Sequence, residues 1–392
     1  MDNLTFKLTK KTVTVFVVMI AIGLIALLYG VLGSPGAERV AANLLLNNYY
    51  FLSLGLIGLF FVTVHAISES AWHTSVGRIG EAMSAFIPAG GALLLIFFVL
   101  GGLHLVFEWT HEDHLDAILL KKTPYLNEPF FYIRSVIFIG VWAVMAHYIR
   151  KVSLQVDLNG DMKYFNRLRT LSAVFIVFYA VTSVVTSWDW LMSIDAHWFS
   201  TLYGWYVFSS MLASGVAMII IILYILKRMG YMDHVNVEHI HDLGKYLFGF
   251  SIFWAYLWYS QYMLIWYANI PEETVYFYER HKNFEGIFYV NLILGFVIPF
   301  FALMTRNSKR KFSVLIPVSV IVIIGHWVDL YLLIMPGAVG GEKSGIGLLE
   351  VGLTIGFMGL FLLVTFWSLT KAPLASKKHP LYKESLDYHT NY

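Results

Sequence analysis

Few ionisable side chains interrupt the long apolar runs of this sequence, and several are spaced for proton transfer. His65 and Glu69 are four residues apart, as are His104 and Glu108. On a helix that spacing puts both members of a pair on one face. A histidine titrates near neutral pH, so a carboxylate beside it makes a short proton relay. Arg134 and Asp189 are the next charged groups in such runs, and His147 and His326 with Asp329 are further candidates. A charged group in the middle of an apolar membrane helix costs about 2.5–3.5 kcal/mol on insertion scales, so each needs a reason to be there.

Plainer readings stand beside these. Arg134 can carry its guanidinium to the surface along its own apolar stem. His65 and Glu69 can be a solvated pair at a helix end, and a lone buried histidine is usually a hydrogen-bonded packing residue. The run His111-Glu112-Asp113-His114 reads as a wet loop and lacks the HExxH order of a helical zinc site. The aromatic run from Phe253 to Tyr267 reads as core and interfacial belt before it reads as a quinone slot. The chain has no cysteine, which removes disulfides, thiolate zinc sites and cysteine-ligated iron–sulfur clusters together. A haem held by two histidines needs them at matched depth, and His65 and His104 fall at opposite ends of their runs. Any redox centre that works with this chain is expected on a partner.

The elements that position these groups follow from composition. Of 392 residues, 58% are hydrophobic and 13% charged, about half the charged share of a soluble domain. A membrane-crossing helix needs about 20 apolar residues. Ten spans are expected, near 13–33, 46–68, 82–107, 129–149, 168–187, 200–226, 244–270, 284–304, 312–335 and 346–370. Backbone groups in lipid must be bonded within the segment, so these runs are helices, and the short alternating strands of a barrel are not visible. The first run follows Lys7, Lys10 and Lys11 as a signal peptide would. Its twenty uncharged residues, Val13 to Leu32, exceed a signal core, and it is expected to be retained. By this placement 20 of the 27 Lys and Arg fall in the termini and the connections after even-numbered spans, and six after odd-numbered ones. Arg134 is the remaining one. The bias puts both termini in the cytoplasm. Gly352 and Gly356 form a GxxxG pair on the last span, suited to close packing against another helix.

Depth then groups the candidates. Arg134 lies about five residues inside the fourth span, roughly 7 Å deep, and Asp189 closes the fifth. With His104 and Glu108 at the end of the third, the four share one level and can converge if those spans share a bundle. His65 and Glu69 are the matching entry at the other level. No ionisable group bridges the middle on these spans, so Tyr179, Ser183 and water would have to connect the two ends.

At this point the sequence resembles a family. The stretch Thr186-Ser187-Trp188-Asp189-Trp190-Leu191-Met192-Ser193, continuing Ile194-Asp195-Ala196-His197-Trp198-Phe199-Ser200, is similar to a signature of bacterial alternative complex III. So are His241-Asp242-Leu243-Gly244-Lys245, Phe253-Trp254-Ala255-Tyr256 and Ser260-Gln261-Tyr262-Met263-Leu264-Ile265-Trp266-Tyr267, with Asn269-Ile270-Pro271-Glu272-Glu273. Together they look like the ActF membrane-subunit family, within the NrfD-like (polysulfide-reductase) group, over nearly the whole chain. The resemblance implies an all-α membrane protein of two four-helix bundles, spans 2–5 and 6–9, flanked by spans 1 and 10. In domain terms it is one polytopic unit, with a flanking helix in 1–40, bundles in 41–199 and 200–340, and a last helix and tail in 341–392.

It also implies a place in a bacterial cytoplasmic-membrane complex that oxidises menaquinol. Electrons pass through haem c and iron–sulfur subunits toward a cytochrome or terminal oxidase. Expected partners are the multihaem cytochrome c, the iron–sulfur protein, the sister subunit ActC, a terminal oxidase and the bilayer, with no nucleic acid. ActF-type subunits carry no metal centre, and menaquinone is the ligand this one would meet. The polar members of the matching motifs are Asp189, Asp195, His197, Gln261 and Glu273, and the match does not assign them individual roles. Two other readings remain open: a purely structural subunit, with every buried charge paired locally, and a secondary transporter. The second would place broken helices at corresponding points of two halves, and Pro88, Pro299 and Pro317 are not obviously so paired.

Overall fold

The computed structural model describes residues 5–33, 36–111, 116–341 and 344–389. Among these there is no strand beyond one isolated bridge between Thr5 and Pro373. Among the described residues, nine helical segments are long and apolar enough to cross a membrane. They are α1 (Lys10–Leu32), α2 (Ala37–Ile67), the run of α3 (Gly77–Ser84), α4 (Ile87–Phe97) and α5 (Leu103–Val106), α7 (Glu128–Asn159), α8 (Met162–Trp190), α9 (Tyr203–Arg228), α11 (Pro271–Leu292) continuing through α12 (Ile298–Ala302), α13 (Phe312–Ala338) and α14 (Leu348–Leu369). A further long helix, α10 (Val237–Ala268), packs along α9. It opens with Glu238, His239, His241 and Asp242 and owes its apolar character to Trp and Tyr, which hydropathy scores poorly. The short helices α6 (Ala117–Lys122) and α15 (Tyr382–Leu386) lie outside the spans.

Packing sorts the long helices into two bundles. The first holds α2, the α3–α5 run, α7 and α8, and the second holds α9, α10, α11–α12 and α13. They meet where α2 packs on α9 and α13, and α8 on α9. In α2, α9 and α13, 83% of the most apolar window is buried. A helix that is apolar all round belongs in the interior, and these three form the shared core. By contrast α1 has 22% of its window buried and presents Ile25, Leu28 and Leu32 outward. It packs on α14, where a Cβ on Gly23 would meet the Cα of Gly356 at 2.5 Å. Only glycine allows that approach, and Gly352 beside it packs on Ala26 in the same way.

Helix boundaries follow local chemistry. Asn127 caps α7 through a bond from the Phe130 N–H at 3.0 Å, Pro129 occupies its first turn, and Gly160 ends it at φ +67°. The eighth span departs from expectation. Helix α11 begins at Pro271 rather than near 284, with Pro at its start and Glu272 and Glu273 in its first turn. These are helix-start signals, and they bring Arg280, counted above as a loop residue, inside a helix. Single π turns interrupt two spans, at Phe98–Gly102 and Ile293–Val297. They fall in the second helical segment of one bundle and the third of the other, not in corresponding places.

Candidate functional site

At the end of the molecule opposite the termini, Arg134 and Asp189 meet. The guanidinium donates from Nε to Oδ2 at 2.7 Å and from Nη2 to Oδ1 at 3.1 Å. Its Nη1 donates to the Tyr125 carbonyl at 3.1 Å, and its Cζ lies 4.0 Å from the centre of the Tyr125 ring and 4.2 Å from that of Phe130. Asp189 is 1% exposed and Arg134 6%. A carboxylate in the last turn of a helix faces unsatisfied carbonyls and is disfavoured there. The two-pronged arginine supplies the missing positive charge. Trp190 Nε1 donates to Ser135 Oγ and Trp142 Nε1 to Thr182 Oγ1, both at 3.0 Å, which locks α7 against α8 at this level.

Toward the membrane middle, Tyr179 and Ser183 line a small cavity of about 20 Å³ with Tyr49, Ser53, Trp142 and Thr186. That is room for about one water. Ser183 otherwise donates to the Ala180 carbonyl at 3.4 Å.

His104 and Glu108 do not join Arg134 and Asp189. Helix α5 stops at Val106 and Phe107 is extended, so the four-residue spacing no longer lies on one helix face. His104 is about half exposed, with Nε2 3.7 Å from Glu128 Oε1, and Glu108 is exposed. Of the neighbouring run, Glu112, Asp113 and His114 lie outside the described residues.

His65 and Glu69 are parted for the same reason. Helix α2 ends at Ile67 and Glu69 takes φ +50°, turning its carboxylate outward to Arg169 at 2.7 Å. His65 is buried. Its Nδ1 lies 2.7 Å from the Phe61 carbonyl, its Nε2 3.3 Å from Tyr246 Oη, and its ring stacks on His73 at 5.2 Å. Burial, with the His65 ring beside it, pushes His73 down to about 3, so it is neutral at physiological pH. Arg78, also counted above as a loop residue, is buried here and bonds Glu81 and Asp157.

The second bundle holds a polar centre of its own. Asp329 on α13 is 1% exposed and accepts four hydrogen bonds. Ser210 donates at 2.7 Å, Trp254 Nε1 at 3.0 Å, Asn291 Nδ2 at 2.8 Å, and Tyr206 through its hydroxyl. None of the four donors is a cation. One turn earlier, the fully buried His326 places Nδ1 3.0 Å from the same Ser210 hydroxyl. A second cavity of about 20 Å³ touches Asp329, Asn291, Gln261, Tyr276 and Arg280. Asn291 Oδ1 and the Tyr276 hydroxyl are buried without a protein partner, so water is the natural occupant. Beyond it Arg280, 3% exposed, donates to Asp195 Oδ2 at 3.1 Å and to the carbonyls of Leu332 and Tyr276 at 3.0 Å. Its guanidinium lies 3.3 Å from the Tyr276 ring.

The remaining motif residues scatter. Gln261 lines this second cavity, and Asp195 holds Arg280. His197 is half exposed and meets Asp116 at 3.1 Å. Glu273 sits partly exposed in the first turn of α11, and His147 is exposed. Arg280 escaped the sequence reading, and the Pro271-Glu272-Glu273 helix start was the signal that would have found it. Among the described residues, no three His, Asp or Glu side chains are grouped as metal ligands. The chain matches no known family and no curated protein.

Proposed function

We propose that this chain is a membrane subunit of a menaquinol-oxidising respiratory complex of the alternative complex III type, in a bacterial cytoplasmic membrane with both termini cytoplasmic. Its part there is to hold and move protons, while haem and iron–sulfur centres on partner subunits carry the electrons. Membership rests on the resemblance of the motifs around Asp189, Asp195, Gln261 and Glu273. The proton role rests on Asp329. Ionisable groups inside a span are rare and mark proton relays, and the four donors to Asp329 are all neutral. Nine residues separate Asp329 from the end of α13, about 14 Å of helix, so the group is well inside the span. Ser210 links it to His326, and the adjoining cavity links it toward Tyr276, Arg280 and Asp195. In this arrangement Asp329 and His326 exchange a proton through the Ser210 hydroxyl, and water in the cavity carries it on.

A scaffold role is the second reading, favoured by the local pairing of the other buried charges. Arg134 has Asp189, Arg280 has Asp195, Arg78 has Glu81 and Asp157, and Arg39 has Glu350 at 2.8 Å.

Affinity purification of the tagged chain from its native membranes tests membership. A multihaem cytochrome c and an iron–sulfur protein should accompany it, with menaquinol-dependent cytochrome reduction. Recovery of the chain without redox partners would overturn the reading.

A further inference from the structure

A cavity of about 390 Å³ opens between α6, the segment leading into α7, and the turn after α8. Its walls are apolar and aromatic, with Tyr125, Trp188, Met192, Trp198 and Phe199 among them, and Lys121 and Lys122 also line it. The lysines arrive there because Asp116 caps α6 and the helix ends six residues on. Lys122 is anchored, with Nζ donating to the Ala196 carbonyl at 2.6 Å and lying 5.8 Å from the Phe199 ring. Lys121 is exposed. The carboxylate that faces Lys122, Asp116, is occupied by His197 and by the first N–H groups of α6. Neither lysine has an ion-pair partner within 4 Å among the described residues.

The level of the cavity is set by its neighbours. Trp188 lies in the last turn of the span α8, and Tyr125 and Phe199 are 41% and 60% exposed beside it. Aromatic rings and lysines at the ends of spans mark the headgroup region of a bilayer. We propose that this cavity binds one anionic phospholipid, with its phosphate at Lys121 and Lys122 and an acyl chain among Trp188, Met192, Trp198 and Phe199. Two adjacent cations with no ion-pair partner within 4 Å among the described residues call for an anion. The apolar walls call for a hydrocarbon chain, which free phosphate lacks. A larger groove of about 450 Å³ between α1, α2 and α4 has no charged residue among its lining, so nothing there selects a headgroup. The proposal needs only the membrane fold and is independent of membership in a respiratory complex.

The test uses the full chain in phosphatidylcholine nanodiscs doped with phosphatidylglycerol carrying brominated acyl chains, which quench nearby tryptophan. The signal assigned to the site is the quenching lost in the Trp188→Phe/Trp198→Phe variant. Brominated phosphatidylglycerol should produce it, brominated phosphatidylcholine should produce much less, and millimolar inorganic phosphate should not abolish it. Lys121→Gln/Lys122→Gln should weaken the apparent affinity roughly tenfold or more. Because Lys122 also anchors Ala196, Lys121→Gln alone is the second variant, and it should weaken binding severalfold without loss of folding. Equal quenching by the neutral lipid, or affinity unchanged in both variants, would overturn the proposal. Full displacement by inorganic phosphate would reduce the site to a simple anion site. Quenching lost in the purified native assembly would mean that a protein partner, not a lipid, fills the cavity.

Discussion

Arg134 and Asp189 face each other across α7 and α8 with two parallel N–H to oxygen bonds, of 2.7 and 3.1 Å, and almost no exposure to solvent. The pair joins residues 55 positions apart and has a counterpart in the second bundle, where Arg280 reaches Asp195 across 85 positions. In both, an arginine in the first half of its helix lies against a tyrosine ring and holds an aspartate from the end of α8 or the turn after it.

Breaking the first pair should be costly in an asymmetric way. Asp189→Asn leaves a buried guanidinium without its anion, which typically costs about 3–5 kcal/mol. The variant should unfold at clearly lower temperature in detergent and assemble poorly. Arg134→Met/Asp189→Leu removes both charges and should recover most of that loss. A double variant no better than the single one would show that the pair does more than balance charge.

Asp329→Asn separates the two readings of function. The amide keeps the size and removes the titratable proton. The proton role predicts intact assembly and retained electron transfer under uncoupled conditions, with impaired proton release or membrane-potential generation. Full potential in this variant would favour the scaffold. Glu69→Gln, which removes an exposed ion pair, should change stability by no more than about 1 kcal/mol and leave potential generation intact.

The end that carries the termini should be acid-sensitive. His73 is pushed down to about 3 by burial and His65, and His379, on the C-terminal tail, to about 4 by burial and Arg78. Both lie below the unfolded value near 6.5. The unfolded chain therefore binds more protons below pH 6.5, and stability is full above that pH and falls as pH drops toward 4. For each histidine the slope is of order 1 kcal/mol per pH unit at most. Thermal midpoints measured at pH 7.5 and 5.0 should show the drop, and His73→Gln should shrink it. An unchanged difference in that variant would remove His73 from the cause.

Orientation is open to direct measurement because the chain has no cysteine. A single cysteine at Asn307, exposed at the end that carries the termini, should react with an impermeant maleimide only from the cytoplasm. One at Thr201, exposed at the opposite end, should react only from outside. The reverse pattern would invert the topology expected from the Lys and Arg bias.

The sequence alone determined the helical membrane class and most of the span positions, because twenty-residue apolar runs have one workable backbone solution in lipid. It also determined one local feature, the Gly352 and Gly356 pair that lets α14 touch another helix closely. It placed Arg134 and Asp189 at a common depth, since depth follows from counting residues along a span. What it could not decide was rotation and breakage. His104 with Glu108 and His65 with Glu69 were spaced for one helix face, but α5 ends at Val106 and α2 at Ile67, so each carboxylate turns away. Hydropathy also placed Arg280 in a loop because the first turns of α11 are polar, yet tertiary packing buries it against Tyr276 and Asp195. The four donors of Asp329 come from α9, α10 and α11, three helices whose facing sides are set only when the bundle closes. Periodicity reports that a helix has a buried side, not which residue of another helix will lie against it.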